Sequence, residues 1–421
     1  MASRIDIVGL FASAALALAP AAHPQSVDFQ SRFDGELDRH GIVGGGFVVV
    51  RGQEPARMGF HGLARQQTRQ AVDADTAWNW ASITKTFTAI AILQLRDRGL
   101  LSLDDPAVKY VPELREVHDA YGPIEAVTIR TLLTHSAGFR NPTWPWDCDD
   151  ARGCDWQPFE PTRWTQVAAM LPYTHVDFAP GSKWSYSNPG YVFLGQIIER
   201  LSGDDFEVYV DKNILKPLGM ADSYFDRAPY FLQSHVAASY LRGGRAGKLQ
   251  DQPLDFDTGV TTSNSGLKAP LNDMVKYLRF LIGEPGNPLY EAVLKRSTLE
   301  EMWRGLVPIS ADGAEMASYK QGPHGEPEKM GLGFFTFEAR GRPFVFHDGD
   351  QGGFSSELIV DPGDHAAALL VINTTDTGKP PRDAGHVDPN SDPDPRTDLR
   401  VALRRVLVDE VFAPAQSPPG Q

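Results

Sequence analysis

The chain has 421 residues, roughly three times a usual domain length, so a small module is excluded and one or two intimately joined domains are expected. Its hydrophobic residues make up 42% and its charged residues 22%, enough apolar side chain to bury a sizeable core, which excludes global disorder. A net charge of -14 repels phosphate backbones and anionic headgroups and argues against a nucleic-acid partner.

The chain opens Met-Ala-Ser-Arg, followed by an apolar run from Ile7 to Ala19 and small residues at Ala19-Pro20-Ala21-Ala22. Residues 1–22 therefore read as a secretory signal. The competing reading, a frayed apolar helix, is favoured by Asp6, which cancels the charge of Arg4. A signal places the mature protein in the periplasm or outside the cell, and the alternative leaves it in the cytoplasm. The run is shorter than the roughly 20 residues a bilayer span needs, and no other stretch is long enough, so no membrane span is expected.

Gly41 to Val50 and Met58 to Ala64 are short β-rich runs separated by a polar turn and read as a hairpin. From Ile83 to Leu95 the apolar positions are too dense for a surface helix, which predicts one buried on most sides. Leu103 to Phe225 alternates helical stretches with loops rich in Pro, Trp and Asp, and includes a helix pattern over Tyr191 to Leu201 that stops at Ser202-Gly203. Strand patterns return at Gly333 to Phe337, Pro343 to His347, Phe354 to Val360 and Ala366 to Asn373, before a final helix from about Thr397 to Val411. The expected fold is thus α/β (α+β): an antiparallel β-sheet flanked by helices, built from 27–100 and 255–412, with a mainly helical domain at 101–254 inserted between them.

Two segments stand apart from these elements. The loop at 141–163 holds Trp144, Trp146, Trp156 and Phe159 with the two cysteines, Cys148 and Cys154. Its aromatic residues are either a miniature core of the loop itself or a lid that packs an apolar part of a substrate, held by a Cys148–Cys154 disulfide in an oxidising compartment. An acidic, Pro-rich loop fills 376–395, where Asp388, Asn390, Asp392 and Asp394 lack the Glu that would close a calcium loop and read as a solvated turn. Metalloprotease His-Glu-x-x-His, Gly-x-Ser-x-Gly elbows and phosphate-cradling glycine loops are absent from the sequence, so neither metal nor cofactor is expected.

The chemistry concentrates in three short stretches. Ser82-Ile83-Thr84-Lys85 opens the buried helix, and a spacing of three puts the Lys85 amine beside the Ser82 hydroxyl. Ser-x-x-Lys is common by chance and recurs at Ser265-Gly266-Leu267-Lys268, but that copy lies in a turn kept from the next helix by Pro270 and reads as structural. Tyr186-Ser187-Asn188 sits in a loop just before the helix pattern at Tyr191, where Tyr186 supplies a proton acceptor and Asn188 an amide that orients Lys85 and the substrate. His347-Asp348-Gly349 ends a strand, and Gly352-Gly353 follows, where missing Cβ atoms let a substrate lie along the strand edge. Each stretch alone is more often a capped loop or a turn than a site. All three in this order point to an activated serine.

With Leu132-Leu133-Thr134-His135-Ser136-Ala137-Gly138-Phe139, Tyr186-Ser187-Asn188-Pro189-Gly190-Tyr191 and Pro217-Leu218-Gly219-Met220 added, the chain resembles the superfamily of class C β-lactamases, D-Ala-D-Ala carboxypeptidases, penicillin-binding-like proteins and esterases over residues 30 to 375. The resemblance implies a β-lactamase/transpeptidase-like fold with the site between its two parts. It also implies Ser82 as acyl-accepting nucleophile, Lys85 and Tyr186 as its base system, and an oxyanion hole from the backbone N–H groups of Ser82 and Asp350. The expected activity is a serine hydrolase working through an acyl-enzyme on ester or amide bonds of a small-molecule or peptide substrate. Relatives that act on β-lactams usually carry Lys-Thr-Gly where this chain has His347-Asp348-Gly349, so the esterase and D-amino-acid peptidase branch ranks above β-lactam hydrolysis. The alternative is a weakly catalytic homologue that binds cell-wall peptides or serves as a scaffold, for which a lost nucleophile, lysine or tyrosine would be the sign, and none is lost.

Overall fold

The computed structural model describes residues 28–139, 161–242, 248–252, 258–283, 287–309, 322–376 and 395–412. Residues 1–22, the aromatic loop with Trp146, Trp156, Cys148 and Cys154, and Asp388, Asn390, Asp392 and Asp394 of the acidic loop lie outside the described residues, as do the disulfide and the choice between lid and miniature core.

The described residues form an antiparallel sheet of nine strands. In chain order these are β1 (Gly44–Arg51), β2 (Arg57–Arg65), β3 (Gln70–Ala71), β4 (Val307–Pro308), β5 (Lys329–Met330), β6 (Phe335–Ala339), β7 (Arg342–Gln351), β8 (Phe354–Asp361) and β9 (Ala366–Ile372). Their spatial order is β4-β5-β6-β7-β8-β9-β1-β2-β3, so β9 pairs with β1 and the two ends of the chain close one sheet. The register that does this sets Phe47 opposite Leu370 and Val49 opposite Ala368.

Both faces of the sheet are covered, because alternate side chains along a strand go to opposite sides. Phe47, Val49, Phe344, Phe346, Ala368 and Leu370 pack with Phe29, Phe33, Leu399 and Leu403, which belong to α1 (Phe29–Arg39) and α6 (Pro395–Val406). On the other side Val48, Val50, Val345, Leu358, Leu369 and Val371 join a core that also contains α2 (Thr84–Asp97), α3 (Asn188–Ser202) and α5 (Leu271–Ile282). The central helix α2 is buried at every residue from Thr84 to Leu95, as the density of apolar positions predicts.

Helix α3 starts three residues before the apolar pattern, because Ser187 caps it by accepting the N–H of Gly190 at 3.0 Å and Pro189 fits the first turn. Gly203, with φ 76°, ends it in the left-handed conformation. A four-residue helix α4 (Thr262–Ser265) lies beside α2 and α3, with Ser263 donating to the carbonyl of Tyr191 at 3.0 Å. No described helix is long and apolar enough to cross a membrane.

Candidate active site

Ser82 lies in a tight turn, Ala81–Ile83, that leads directly into α2. The residue before it, Ala81, is buried and holds φ at 49°, a left-handed conformation that costs a non-glycine residue about 1 kcal/mol or more. Its surroundings fix that conformation: the Asn79 side chain accepts the N–H of Ala81 at 2.7 Å, and Ser356 on β8 donates to the carbonyl of Trp80 at 3.1 Å. Ser82 itself is 9% exposed, the edge of an otherwise closed environment.

Lys85 is fully buried, three residues along from Ser82. Its Nζ donates to Ser82 Oγ at 3.1 Å, to Asn188 Oδ1 at 2.7 Å and to the carbonyl of Asn264 at 2.9 Å. Three acceptors on three sides match the three N–H bonds of an ammonium. The Tyr186 ring lies 4.9 Å from the same nitrogen, so the phenol, the amine and the serine hydroxyl occupy one pocket. Burial pushes the Tyr186 phenol well above its usual pKa, opposed by a hydrogen bond with Ser82.

The third stretch comes from β7. Pairing of β7 with β6 ends at Phe346, whereas its pairing with β8 continues to Gln351, which leaves one edge of 347–351 open beside the serine turn. Gly349 makes this approach possible. A Cβ there would sit 2.5 Å from the Trp80 carbonyl oxygen and 2.9 Å from the Ser82 nitrogen, both backbone atoms. The missing side chain thus brings the peptide between Gly349 and Asp350 against the backbone of Ser82.

His347 is also fully buried, and its Nδ1 donates to the carbonyl of Asp348 at 2.6 Å. Burial, reinforced by the positive charge of Lys85, pushes the imidazole pKa down to about 3, so His347 is neutral at physiological pH. The Asp348 and Asp350 side chains point the other way and meet Arg400 on α6, at 3.2 and 2.8 Å.

The structure therefore brings Ser82, Lys85, Tyr186, Asn188, His347, Gly349 and the Asp350 backbone to one place. Such a cluster can form an acyl-enzyme: an alcohol nucleophile, an amine and phenol to receive and return its proton, and backbone donors beside the serine. Three contributors escaped the sequence reading. Asn264 sits one residue before Ser265 in the segment read as structural, and it acts through its carbonyl, which no motif marks. His135 stands in the octapeptide that carries the family resemblance, where sequence gives it no role. Arg400 lies some 50 residues beyond β7 in a helix whose pattern marked only its apolar face.

Esterase EstB of Burkholderia gladioli is 34% identical over 204 residues, covering 46% of this chain and 50% of that protein. Protein flp of Staphylococcus aureus (strain COL) is 22% identical over 338 residues, covering 80% of this chain. The chain thus spans half of the first relative and 61% of the second. The structure of the octameric penicillin-binding protein homologue from Pyrococcus abyssi superposes with a TM-score of 0.68 at 25% identity, covering 90% of this chain and 76% of that one. The fold is that of the β-lactamase/transpeptidase-like proteins. The Beta-lactamase family model matches residues 29–388, most of the sequence, and the chain belongs to the Beta-lactamase family.

Proposed function

We propose that the protein is a serine hydrolase that cleaves ester or amide bonds through an acyl-enzyme on Ser82. The observation that carries this reading is the 3.1 Å contact between Lys85 Nζ and Ser82 Oγ inside the pocket that also holds Tyr186. Ser82 Oγ attacks the substrate carbonyl while its proton passes to the Tyr186–Lys85 unit, which then delivers it to the departing alcohol or amine. The oxyanion is held by the N–H groups of Ser82 and Asp350, and water releases the acyl group in a second, mirror-image step.

The charge around the site supports substrates without a carboxylate at the third motif. His347 is neutral, and Arg400 behind it is engaged by two carboxylates. A negatively charged substrate gains no strong partner on that strand, which ranks neutral esters and amides above β-lactams. EstB, named as an esterase, is similar over about half its length, which agrees with this ranking.

Labelling with a fluorophosphonate followed by peptide mapping tests the reading. The adduct is expected on Ser82 and absent from Ser82→Ala, while an adduct on Ser265, or none, would overturn it. Neutral aryl esters, D-amino acid amides and a fluorescent penicillin compared at equal concentration then place the substrate class. Fastest acylation by the penicillin would reverse the ranking.

A further inference from the structure

The side chains of β7 alternate between the two faces of the sheet. Val345 goes to the side of α2 and α3, and Phe344 and Phe346 go to the side of α1 and α6. The same alternation sends Gly349 toward Ser82 and sends its two neighbours, Asp348 and Asp350, toward α6. The strand thus carries two acidic groups on the face opposite the glycine that meets the backbone of the serine turn. Asp348 is 2% exposed, and directly opposite it in register on β8 stands Glu357, which is fully buried.

Carboxylates placed two apart on one strand, and opposite one another across a strand pair, repel unless a cation lies among them. Helix α6 supplies two, one turn apart. A single nitrogen of Arg400, Nη1, bridges Asp348 Oδ2 at 3.2 Å and Asp350 Oδ2 at 2.8 Å. Arg404 donates to Glu357 and, at 3.3 Å, to Glu328. Arg400 is 5% exposed, so water does little to screen the arrangement.

We infer that Arg400 is a positioning residue for the proposed reaction: by bridging Asp348 and Asp350 behind β7 it fixes the Gly349–Asp350 peptide, and with it the Asp350 N–H, against Ser82. The inference rests on the hydrolase reading given above. Arg400 touches neither the nucleophile nor its base. Its effect reaches the reaction through the strand, and it therefore bears on stabilisation of the oxyanion more than on substrate affinity.

The test compares wild type with Arg400→Gln, Arg400→Lys and the double variant Arg400→Gln/Asp348→Asn. The measurements are the fluorophosphonate labelling rate, kcat and KM on a neutral aryl ester, and hydrogen exchange of a peptide covering 343–353. Arg400→Gln is expected to label roughly 10- to 100-fold more slowly, with kcat falling in step, KM within about threefold and faster exchange in that peptide alone, the range for a misplaced oxyanion donor. Replacing Asp348 as well removes the uncompensated buried carboxylate and is expected to restore stability but not the rate, because the bridge to β7 is still missing; a rate restored in the double variant would overturn the inference. Should Arg400→Gln fail to fold, the double variant against Asp348→Asn gives the same comparison with one buried charge fewer. Unchanged labelling and exchange in the Arg400 variants would overturn the inference alone, as would a loss confined to KM, which would make Arg400 a substrate contact. Absence of labelling in the wild type would overturn the hydrolase reading first.

Discussion

His135 holds Tyr186 by both of its neighbours. The carbonyl of His135 accepts the N–H of Ser185 at 2.8 Å, and its imidazole Nδ1 accepts the N–H of Ser187 at 3.1 Å. The two rings lie 4.5 Å apart between centroids. Accepting through Nδ1 requires an unprotonated nitrogen, and burial, with the nearby Lys85 charge, pushes the His135 pKa well below its usual value. His135 also has φ 53°, which asparagine tolerates better than most residues. His135→Asn keeps an acceptor near the Nδ1 position and the left-handed backbone, so it is expected to retain activity within a few-fold. His135→Ala loses the acceptor and adds backbone strain, and kcat is expected to fall about tenfold or more as Tyr186 drifts from its proposed proton-transfer position. Equal kcat values for the Asn and Ala variants would remove Tyr186 positioning as the role of this side chain.

Lys85 and Tyr186 share one pocket with Ser82 and, in the proposed reaction, act on one proton. Lys85→Ala and Tyr186→Phe are each expected to slow acylation by roughly two to four orders of magnitude. Because the amine and the phenol form one transfer unit, the double variant should be little worse than the poorer single one. Burst-phase rates measured on an activated ester decide it. A double-variant defect equal to the product of the single defects means that the two groups act separately.

The contact between Gly349 and the serine turn predicts an unusually costly methyl group. Of the three atoms met by a Cβ at 349, the Ser356 hydroxyl can move, but the Trp80 oxygen and the Ser82 nitrogen belong to the backbone and cannot rotate aside. Gly349→Ala is expected to push β7 away from Ser82 and lower kcat by about 10²- to 10³-fold, the loss associated with one oxyanion donor. Substrate contacts elsewhere survive, so KM should move little. A variant of wild-type activity would show that the strand and the turn separate without consequence, and the assignment of the Asp350 N–H would then fail.

How much of this was readable beforehand depends on which part of each residue acts. In the proposed reaction Ser82, Lys85, Tyr186 and Asn188 act through side chains held in short local motifs, and helical spacing alone joins the first two. Six of the nine strands were legible as β-rich runs, whereas the two-residue strands β3, β4 and β5 are too short to leave a pattern, and β7 runs on to Gln351, four residues past His347, because its last part carries Asp348, Gly349 and Asp350 rather than hydrophobic residues. Asn264 acts through a carbonyl, and Ala81 through a backbone angle, and neither leaves a signature in residue type. The pairing of Arg400 with Asp348 and Asp350 joins the last helix to β7, a long-range contact between common charged residues that spacing cannot reveal.

The buried charges behind β7 also set a pH dependence of stability. Burial, helped by the nearby Asp348 and Glu357 and only partly offset by Arg404, raises the Glu328 pKa from its ordinary 4.5 to about 7. The folded protein therefore binds a proton at Glu328 more tightly than the unfolded chain does. That contribution to stability is fully present below pH 4.5 and is lost as pH rises through about 7. His347 works in the opposite sense: its pKa falls from 6.5 to about 3, so the stability it gives is present above 6.5 and lost as pH falls toward 3. The two overlap in the wild-type curve between 4.5 and 6.5, so a wild-type profile alone separates neither. Glu328→Gln does, since an amide stays neutral throughout and His347 cancels in the comparison. The Tm of the variant minus that of the wild type is expected to rise by a few degrees between pH 5 and pH 8, a few degrees being the scale of about 3 kcal/mol in a protein of this size. A difference that stays flat over that interval would mean that Glu328 is already ionised in the folded protein, held there by Arg404.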